Sequence, residues 1–327
     1  MTGLSDSFQR PINYLRISVT DRCNLRCIYC MPAEGVSLMS HNDILSYEEI
    51  YTVVKVAAEL GINKVRITGG EPLVRAGLPE LVQMLASIDT IDDISLTTNG
   101  TLLAHHAAEL KQAGLQRVNI SLDTLKPDRF KHITRLGNLE DTLEGIEVAR
   151  AVGLNPVKIN VVVMAGVNDD ELPDFAIKTV NEGWHVRFIE LMPLNGDESV
   201  TSKLVSVKDM KRRLDPLGKM EPCRVNVGNG PAKYFCLPNA TGTIGFITPV
   251  TEHFCYQCNR LRLTADGKLR PCLLSEEEID LREPLRLSAS AAELKNLIAE
   301  AIARKPQGHH LAEGITPLDR PFSQVGG

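Results

Sequence analysis

The chain lacks several features that would place it at once. It has no basic excess: 36 Lys and Arg stand against 41 Asp and Glu, a net charge of −5 over 327 residues. A general nucleic-acid binder shows the opposite sign, so no nucleic-acid partner is expected. No stretch approaches the roughly 18 apolar residues of a membrane span. Met1-Thr2-Gly3-Leu4-Ser5-Asp6-Ser7 has neither the basic start nor the apolar run of a secretory signal. The expectation is a cytoplasmic protein with no membrane partner. No G-x-G-x-x-G follows the first strand-like run, and there is no G-x-x-x-x-G-K-[ST] loop, so a phosphorylated ligand would have to be held by side chains. Low-complexity segments are missing, as are repeats beyond a β/α alternation.

What is present is an ordinary globular composition, 43% hydrophobic and 24% charged, which excludes disorder over most of the chain. The length suits one barrel or two modest domains. Strand-like runs fall at Tyr14 to Thr20, Lys64 to Thr68, Asp93 to Thr97, Arg117 to Ser121, Val157 to Met164 and His185 to Glu190. Helical patterns separate them. Ile50, Val53, Val54, Ala57 and Ala58 share one helix face, and Leu139, Leu143, Ile146 and Ala149 repeat the pattern. Gly61, Gly114, Gly153 and Gly183 each follow a helical stretch, where a left-handed cap is wanted.

Six such units predict a parallel sheet. The chemically unusual residues fall at strand C-terminal ends: a cysteine triplet after the first strand, Thr68-Gly69-Gly70-Glu71-Pro72 after the second, Thr97-Thr98-Asn99-Gly100, Ser121-Leu122-Asp123-Thr124 and Glu190-Leu191-Met192-Pro193. Barrels build active sites at that face. The expected fold is therefore α/β, an incomplete (β/α)6 TIM-type barrel over residues 1–195. Beyond it, residues 196–327 form a C-terminal α+β segment that closes the open side and ends in a helix near Ala289 to Arg304.

Eight cysteines in a reducing compartment need a reason other than disulfides. Cys23, Cys27 and Cys30 read C-x3-C-x2-C, and Cys255, Cys258 and Cys272 read C-x2-C-x13-C. Three thiolates converging on a [4Fe–4S] cubane leave one iron open to a ligand, whereas zinc wants a fourth protein donor. A structural zinc site is the competing reading, and His253, two residues before Cys255, is a candidate fourth ligand.

The run Cys23-Asn24-Leu25-Arg26-Cys27-Ile28-Tyr29-Cys30, with Gly69-Gly70-Glu71-Pro72, resembles the radical S-adenosylmethionine (SAM) superfamily. Cys255-Tyr256-Gln257-Cys258-Asn259-Arg260-Leu261-Arg262-Leu263-Thr264, then Cys272 and the terminal Gly-Gly, is similar to the GTP 3′,8-cyclase family of molybdenum cofactor biosynthesis. That resemblance implies two [4Fe–4S] clusters, one per triplet, with SAM on the first and GTP on the second. It implies SAM contacts from Tyr29, Gly70, Ser121 and Met192. GTP contacts would come from Arg16, Arg66, Thr97, Lys158, Arg260, Leu261 and Arg262, and catalytic support from Gly326 and Gly327. The implied reaction is a radical cyclisation of GTP, a lyase step. It needs a flavodoxin- or ferredoxin-type electron donor and a downstream cyclic pyranopterin monophosphate synthase, in a monomer or homodimer. A radical SAM enzyme acting on another small molecule or a peptide is the alternative.

The cationic contacts also follow from charge, because a triphosphate carries about four negative charges that Arg forks bind well. Cys223 and Cys236 match no ligand spacing and read as buried structural thiols. Trp184 reads as core, Gly228-Asn229-Gly230-Pro231 as a turn, and His309-His310 as solvent-facing.

Overall fold

The structure is a computed structural model and describes residues 4–193, 202–223, 230–313, 320 and 322–326. The expected domain boundary near residue 195 and Gly327 both lie outside the described residues. Six strands run parallel in chain order: β1 (Tyr14–Ser18), β2 (Lys64–Thr68), β3 (Asp93–Thr98), β4 (Arg117–Ser121), β5 (Lys158–Val163) and β6 (His185–Glu190). Helices α1 (Tyr47–Glu59), α2 (Leu78–Ala86), α3 (Leu103–Gln112), α4 (Pro127–Thr134), α5 (Leu139–Ala151) and α6 (Leu172–Asn181) connect them. Helix α1 starts on a capping box in which Ser46 and Glu49 each satisfy the other's backbone N–H. Gly61, Gly114, Gly153 and Gly183 all take positive φ after helical stretches.

Strand alternation sorts the two sheet faces. Leu15, Ile17, Val65, Ile67, Leu96, Val118, Ile120, Ile159, Val161, Val186 and Phe188 point to the helices and form one core with Val53, Val54, Leu81, Leu85 and Phe175. Trp184 is 5% exposed and joins that core. The inner face carries Arg16, Arg66, Ser95, Arg117, Asn119, Lys158, Asn160 and Arg187. A closed barrel fills that space with branched apolar side chains. Here polar groups leave it hollow.

The remaining chain adds α7 (Val207–Leu214), β7 (Glu221–Pro222), β8 (Lys233–Cys236), β9 (Thr243–Ile247), β10 (Arg260–Leu263), β11 (Lys268–Arg270), β12 (Ile279–Asp280), α8 (Arg282–Arg286), α9 (Ala291–Ala303) and α10 (Phe322–Val325). The sheet order is β12-β11-β10-β1-β2-β3-β4-β5-β6-β9-β8-β7. Strand β10 pairs parallel to β1 with Tyr14 opposite Arg260, and β9 pairs parallel to β6 with His185 opposite Thr243. The open sheet accords with an incomplete barrel, and both of its edges are continued by strands of the last third of the chain.

Cys223 and Cys236 correct the sequence reading. They are half-buried and joined as a disulfide with Cα atoms 5.9 Å apart. The antiparallel β7–β8 ladder brings them together, pairing Glu221 with Cys236 and carrying a Cys223 N–H to the Tyr234 carbonyl. The other six cysteines are free.

Candidate active site

The hollow is a cavity of about 300 Å³ lined by all six free cysteines. The first triplet lies on the loop after β1. That loop is held by the turn after β2, where Gly70 N–H donates to the Thr20 carbonyl at 2.8 Å and Glu71 N–H to the Arg22 carbonyl at 2.8 Å. A Cβ on Gly70 would stand 2.3 Å from the Arg22 carbonyl oxygen. Only glycine admits so close an approach. Glu71 is 1% exposed and accepts from Leu73 N–H, Thr98 Oγ1 and Asn99 N–H at 3.0, 2.8 and 2.7 Å. It therefore fixes the ends of β2 and β3 together, and burial pushes its carboxyl up to about 7.

The second triplet flanks β10 and β11. The register puts Arg260 level with Tyr14, at the N-terminal end of β1, whereas the first triplet follows its C-terminal end. At about 3.3 Å per residue, the ends of β1 beside which the two triplets attach are ~13 Å apart along the strand. Glu190, at the end of β6, ties down the segment before Cys255. Its carboxylate accepts from Val207, Val250 and Thr251 N–H groups at 3.2, 3.0 and 2.9 Å and from the Thr251 hydroxyl.

Burial pushes the first triplet's thiols up, Cys23 to about 11, Cys30 to about 12 and Cys27 well above its usual range. Burial raises Cys258 too, but Arg260 and Lys305 outweigh it and bring the thiol down to about 6. Tyr29 donates to Asp123 Oδ2 at 2.8 Å, and Val162 N–H donates to Oδ1 at 2.8 Å. Burial lifts that carboxyl to about 6.

Between the triplets, Arg16, Arg66, Arg187 and Arg262 line the wall, and none of the four has an ion pair among the described residues. Arg66 Nε donates to Ser95 Oγ at 3.3 Å, Arg187 Nη2 donates to Asn119 Oδ1, and Arg262 Nη1 donates to the Gly326 carbonyl. Burial holds Arg262 down to about 9 and Arg187 to about 10, with Arg16 well below its ordinary value. Tyr14 Oη, Arg16 Nε, Thr97 Oγ1, Asn160 Oδ1, Arg187 Nε and Ser323 Oγ are buried without a hydrogen-bond partner, and all six residues line this cavity. Buried polar atoms are almost always satisfied. A wall of unsatisfied polar atoms, most of them donors, with arginines that have no ion pair among the described residues, suits an anionic ligand.

A family model described as "Radical SAM superfamily" matches residues 17–177, and one described as "Molybdenum Cofactor Synthesis C" matches residues 184–311. The GTP 3′,8-cyclase of Pelotomaculum thermopropionicum is 54% identical over 326 residues, covering 99% of this chain and all of the relative. That of Moorella thermoacetica is 52% identical over 324 residues, covering 99% of this chain and all of its own length. This chain belongs to the GTP 3′,8-cyclase family. Its fold is also that of Streptococcus suis SuiB bound to S-adenosylmethionine, with a TM-score of 0.62 at 13% identity, covering 97% of this chain and 76% of that one. Among the described residues, no helix is long and apolar enough to cross a membrane.

Membership of the GTP 3′,8-cyclase family, and with it of the radical SAM superfamily, implies a [4Fe–4S] cluster and SAM. The donor set fits such a group: in each triplet, free soft thiols close enough to feel one another's charge line one cavity. Of the residues expected from the resemblance, Tyr29, Gly70, Ser121, Met192, Arg16, Arg66, Thr97, Arg260 and Arg262 also line it. Lys158 and Leu261 do not. Lys158 is 2% exposed on the inner face, its ammonium 5.5 Å from the Tyr234 ring centroid. Leu261 points outward into the core, as alternation with Arg260 and Arg262 requires. Gly326 is buried at the inner face with φ +70°, where an added Cβ would run into Thr68.

The sequence reading passed over Arg187 and Lys305, and it placed Asn160 with Lys158 on the site's face without giving it a ligand role. Arg187 carried the same signal as Arg16, an arginine at an inward position of an apolar strand. His309, expected at the surface, is half-buried in the cavity wall and stacks edge-on against His253 at 5.7 Å. His253 itself is exposed and outside the cavity wall.

Proposed function

We propose that this chain converts GTP to (8S)-3′,8-cyclo-7,8-dihydroguanosine 5′-triphosphate, the first step of molybdenum cofactor biosynthesis. The observation that carries the reading is one cavity with a free-thiol triplet at each end and unpaired arginines between them. Cys23, Cys27 and Cys30 would hold a [4Fe–4S] cluster to which SAM would bind, and Cys255, Cys258 and Cys272 would hold a second that would supply a binding point for the guanine. When bound, the first cluster and SAM supply the radical chemistry that removes the hydrogen at C3′ of GTP and lets C3′ join C8.

The chain's own residues do the rest. Arg16, Arg66, Arg260 and Arg262, all in the cavity wall, would bind the triphosphate, and their charge matches its roughly four negative charges. Arg187, with Nε unsatisfied at the same wall, joins them. Lys158 adds positive charge from beneath the cavity, and Thr97 and Asn160 offer hydrogen bonds to the ribose and base. Leu261 supports the site through its backbone in β10, its side chain being turned away. Tyr29, Gly70, Ser121 and Met192 shape the SAM end, Asp123 orienting Tyr29. The Gly326 carbonyl accepts from Arg262, where the tail would exclude water, and Gly327 would share that catalytic support. A flavodoxin- or ferredoxin-type donor would reduce the first cluster, and a cyclic pyranopterin monophosphate synthase would consume the product. The first 195 residues would then carry the first cluster, the SAM site and much of the GTP wall, and the remainder the second cluster and the tail.

The test is anaerobic turnover with GTP deuterated at C3′. Deuterium in the 5′-deoxyadenosine, dependent on GTP, is expected. Unlabelled 5′-deoxyadenosine, formed equally without GTP, overturns the assignment of substrate.

A further inference from the structure

Lys305 is 3% exposed and has no carboxylate partner among the described residues. It follows α9, whose Leu294, Ile298, Ala301 and Ile302 are buried where the helix packs on β11, β12 and α1. The ammonium donates to the Arg260 carbonyl at 2.7 Å and to the Pro271 carbonyl at 2.6 Å. Arg260 lies two residues after Cys258, and Pro271 immediately precedes Cys272. One cation therefore joins the two chain segments that carry two of the three thiols. Its side chain also lines the cavity, and the charges on Cys258 and Cys272 reach it.

The third thiol is treated likewise. Arg10, 5% exposed, donates to the Cys255 carbonyl at 2.7 Å and to the Gln307 and Pro306 carbonyls at 3.0 and 2.6 Å, while Asp6 holds its Nε at 2.5 Å. Arg10 thus has a carboxylate in place, whereas among the described residues Lys305 has none and faces only the thiols. Around the first triplet, Arg26 and Arg135 bond backbone carbonyls in the same manner, but both are only half-buried and water screens them. Burying an ammonium with no carboxylate among the described residues is costly, and two carbonyls offset that cost only in part. Methionine would fill the same space without that cost.

We propose that Lys305 is a positioning and charge-compensating residue for the second cluster, locking the Cys258 and Cys272 segments together and stabilising the cluster's reduced form. The proposal rests on the reading that the second triplet holds a [4Fe–4S] cluster. Opposite charge nearby favours the more negative, reduced state, so removing it lowers the midpoint potential.

The test uses the full chain with Cys23, Cys27 and Cys30 replaced by Ala, so that the second triplet is read alone. Iron and sulfide content, the paramagnetic resonance spectrum of the reduced protein and an anaerobic redox titration are measured. Lys305→Gln keeps N–H donors for both carbonyls and removes the charge. It is expected to retain iron with a lower midpoint potential. Lys305→Met, which loses the donors too, is expected to lose most of the iron, and Lys305→Arg to keep both iron and potential. A parental potential in Lys305→Gln, or full iron in Lys305→Met, overturns the proposal. If the parent triple-alanine chain itself binds no iron, the two-cluster reading fails instead, which the metal content shows before any lysine variant is made.

Discussion

Arg187→Met separates what the cavity does for ligand from what it does for the fold. The Arg187 guanidinium is 4% exposed and, among the described residues, bonded through Nη2 to Asn119 alone, and burial lowers its pKa from 12.5 to about 10. For a base shifted downward, the charged form is penalised in the folded chain. The penalty is complete below pH 10 and disappears only as pH rises from there towards 12.5. At 1.36 kcal/mol per tenfold change in proton affinity it amounts to about 3 kcal/mol at neutral pH. Removing the arginine recovers that but leaves Asn119 Oδ1, fully buried, without its donor, a cost of about 1–3 kcal/mol. The ligand-free variant should therefore match the parent or gain up to about 2 kcal/mol, a rise in Tm of no more than about 5 °C. Binding of GTP should move the other way. Losing a hydrogen bond to a charged group, about 1.5–3 kcal/mol, weakens it roughly 10- to 150-fold. Anaerobic scanning calorimetry and a GTP titration without SAM read both quantities on one preparation. A variant that loses several degrees in Tm while binding GTP normally would show Arg187 to be a structural cation, and the argument from unpaired charge would fail.

Other perturbations address the supports of the site. Gly70→Ala places a methyl 2.3 Å from the Arg22 carbonyl oxygen, so the loop must move. We expect about 1–3 kcal/mol of destabilisation and loss of iron from the first triplet, measured by thermal melts and metal analysis. Lys158, buried, has a pKa lowered to about 7 from 10.5. Its penalty is complete below pH 7 and fades as pH rises from 7 to 10.5, so ligand-free stability should climb over that range while the KM for GTP rises as the ammonium is lost, and both trends should vanish in Lys158→Met. Glu190→Gln turns an acceptor of four hydrogen bonds into a group with a donor facing N–H groups. About 1–3 kcal/mol should be lost, with iron at the second triplet falling more than at the first.

Strands β1 to β6 were legible because branched apolar residues alternate with polar ones inside them and glycines punctuate the helices. Those are local signals. Short strands between Val225 and Pro249 were legible too, but the parallel pairing of β9 with β6 and the whole of β10 were not, since β10 pairs with residues near the N-terminus. The six ligand-spaced cysteines were legible from spacing alone, but Cys223 and Cys236 were not. The expectation of a reducing compartment set disulfides aside, and only the β7–β8 register brings those two thiols together. Arg187 could have been found with the alternation that found Arg16, and the same rule would have turned Leu261 outward. Lys305 could not have been found. Its burial depends on how α9 docks, and nothing around it in the sequence distinguishes it from a surface lysine.

The two-sided continuation of the sheet bears on how the chain is made. A ribosome delivers β1 to β6 long before β9 and β10, so the nascent protein carries two unpaired parallel edges, β1 and β6, each a template for wrong pairing. The contacts that cover them close loops of very different size, and the β1–β10 closure awaits almost the whole chain. The strand that completes the edge at β1 is the one flanked by Cys258 and Cys272. A metal held by the second triplet, as proposed above, would therefore find its segments assembled only once β10 has reached β1, so loading there would be a late step that follows completion of the sheet.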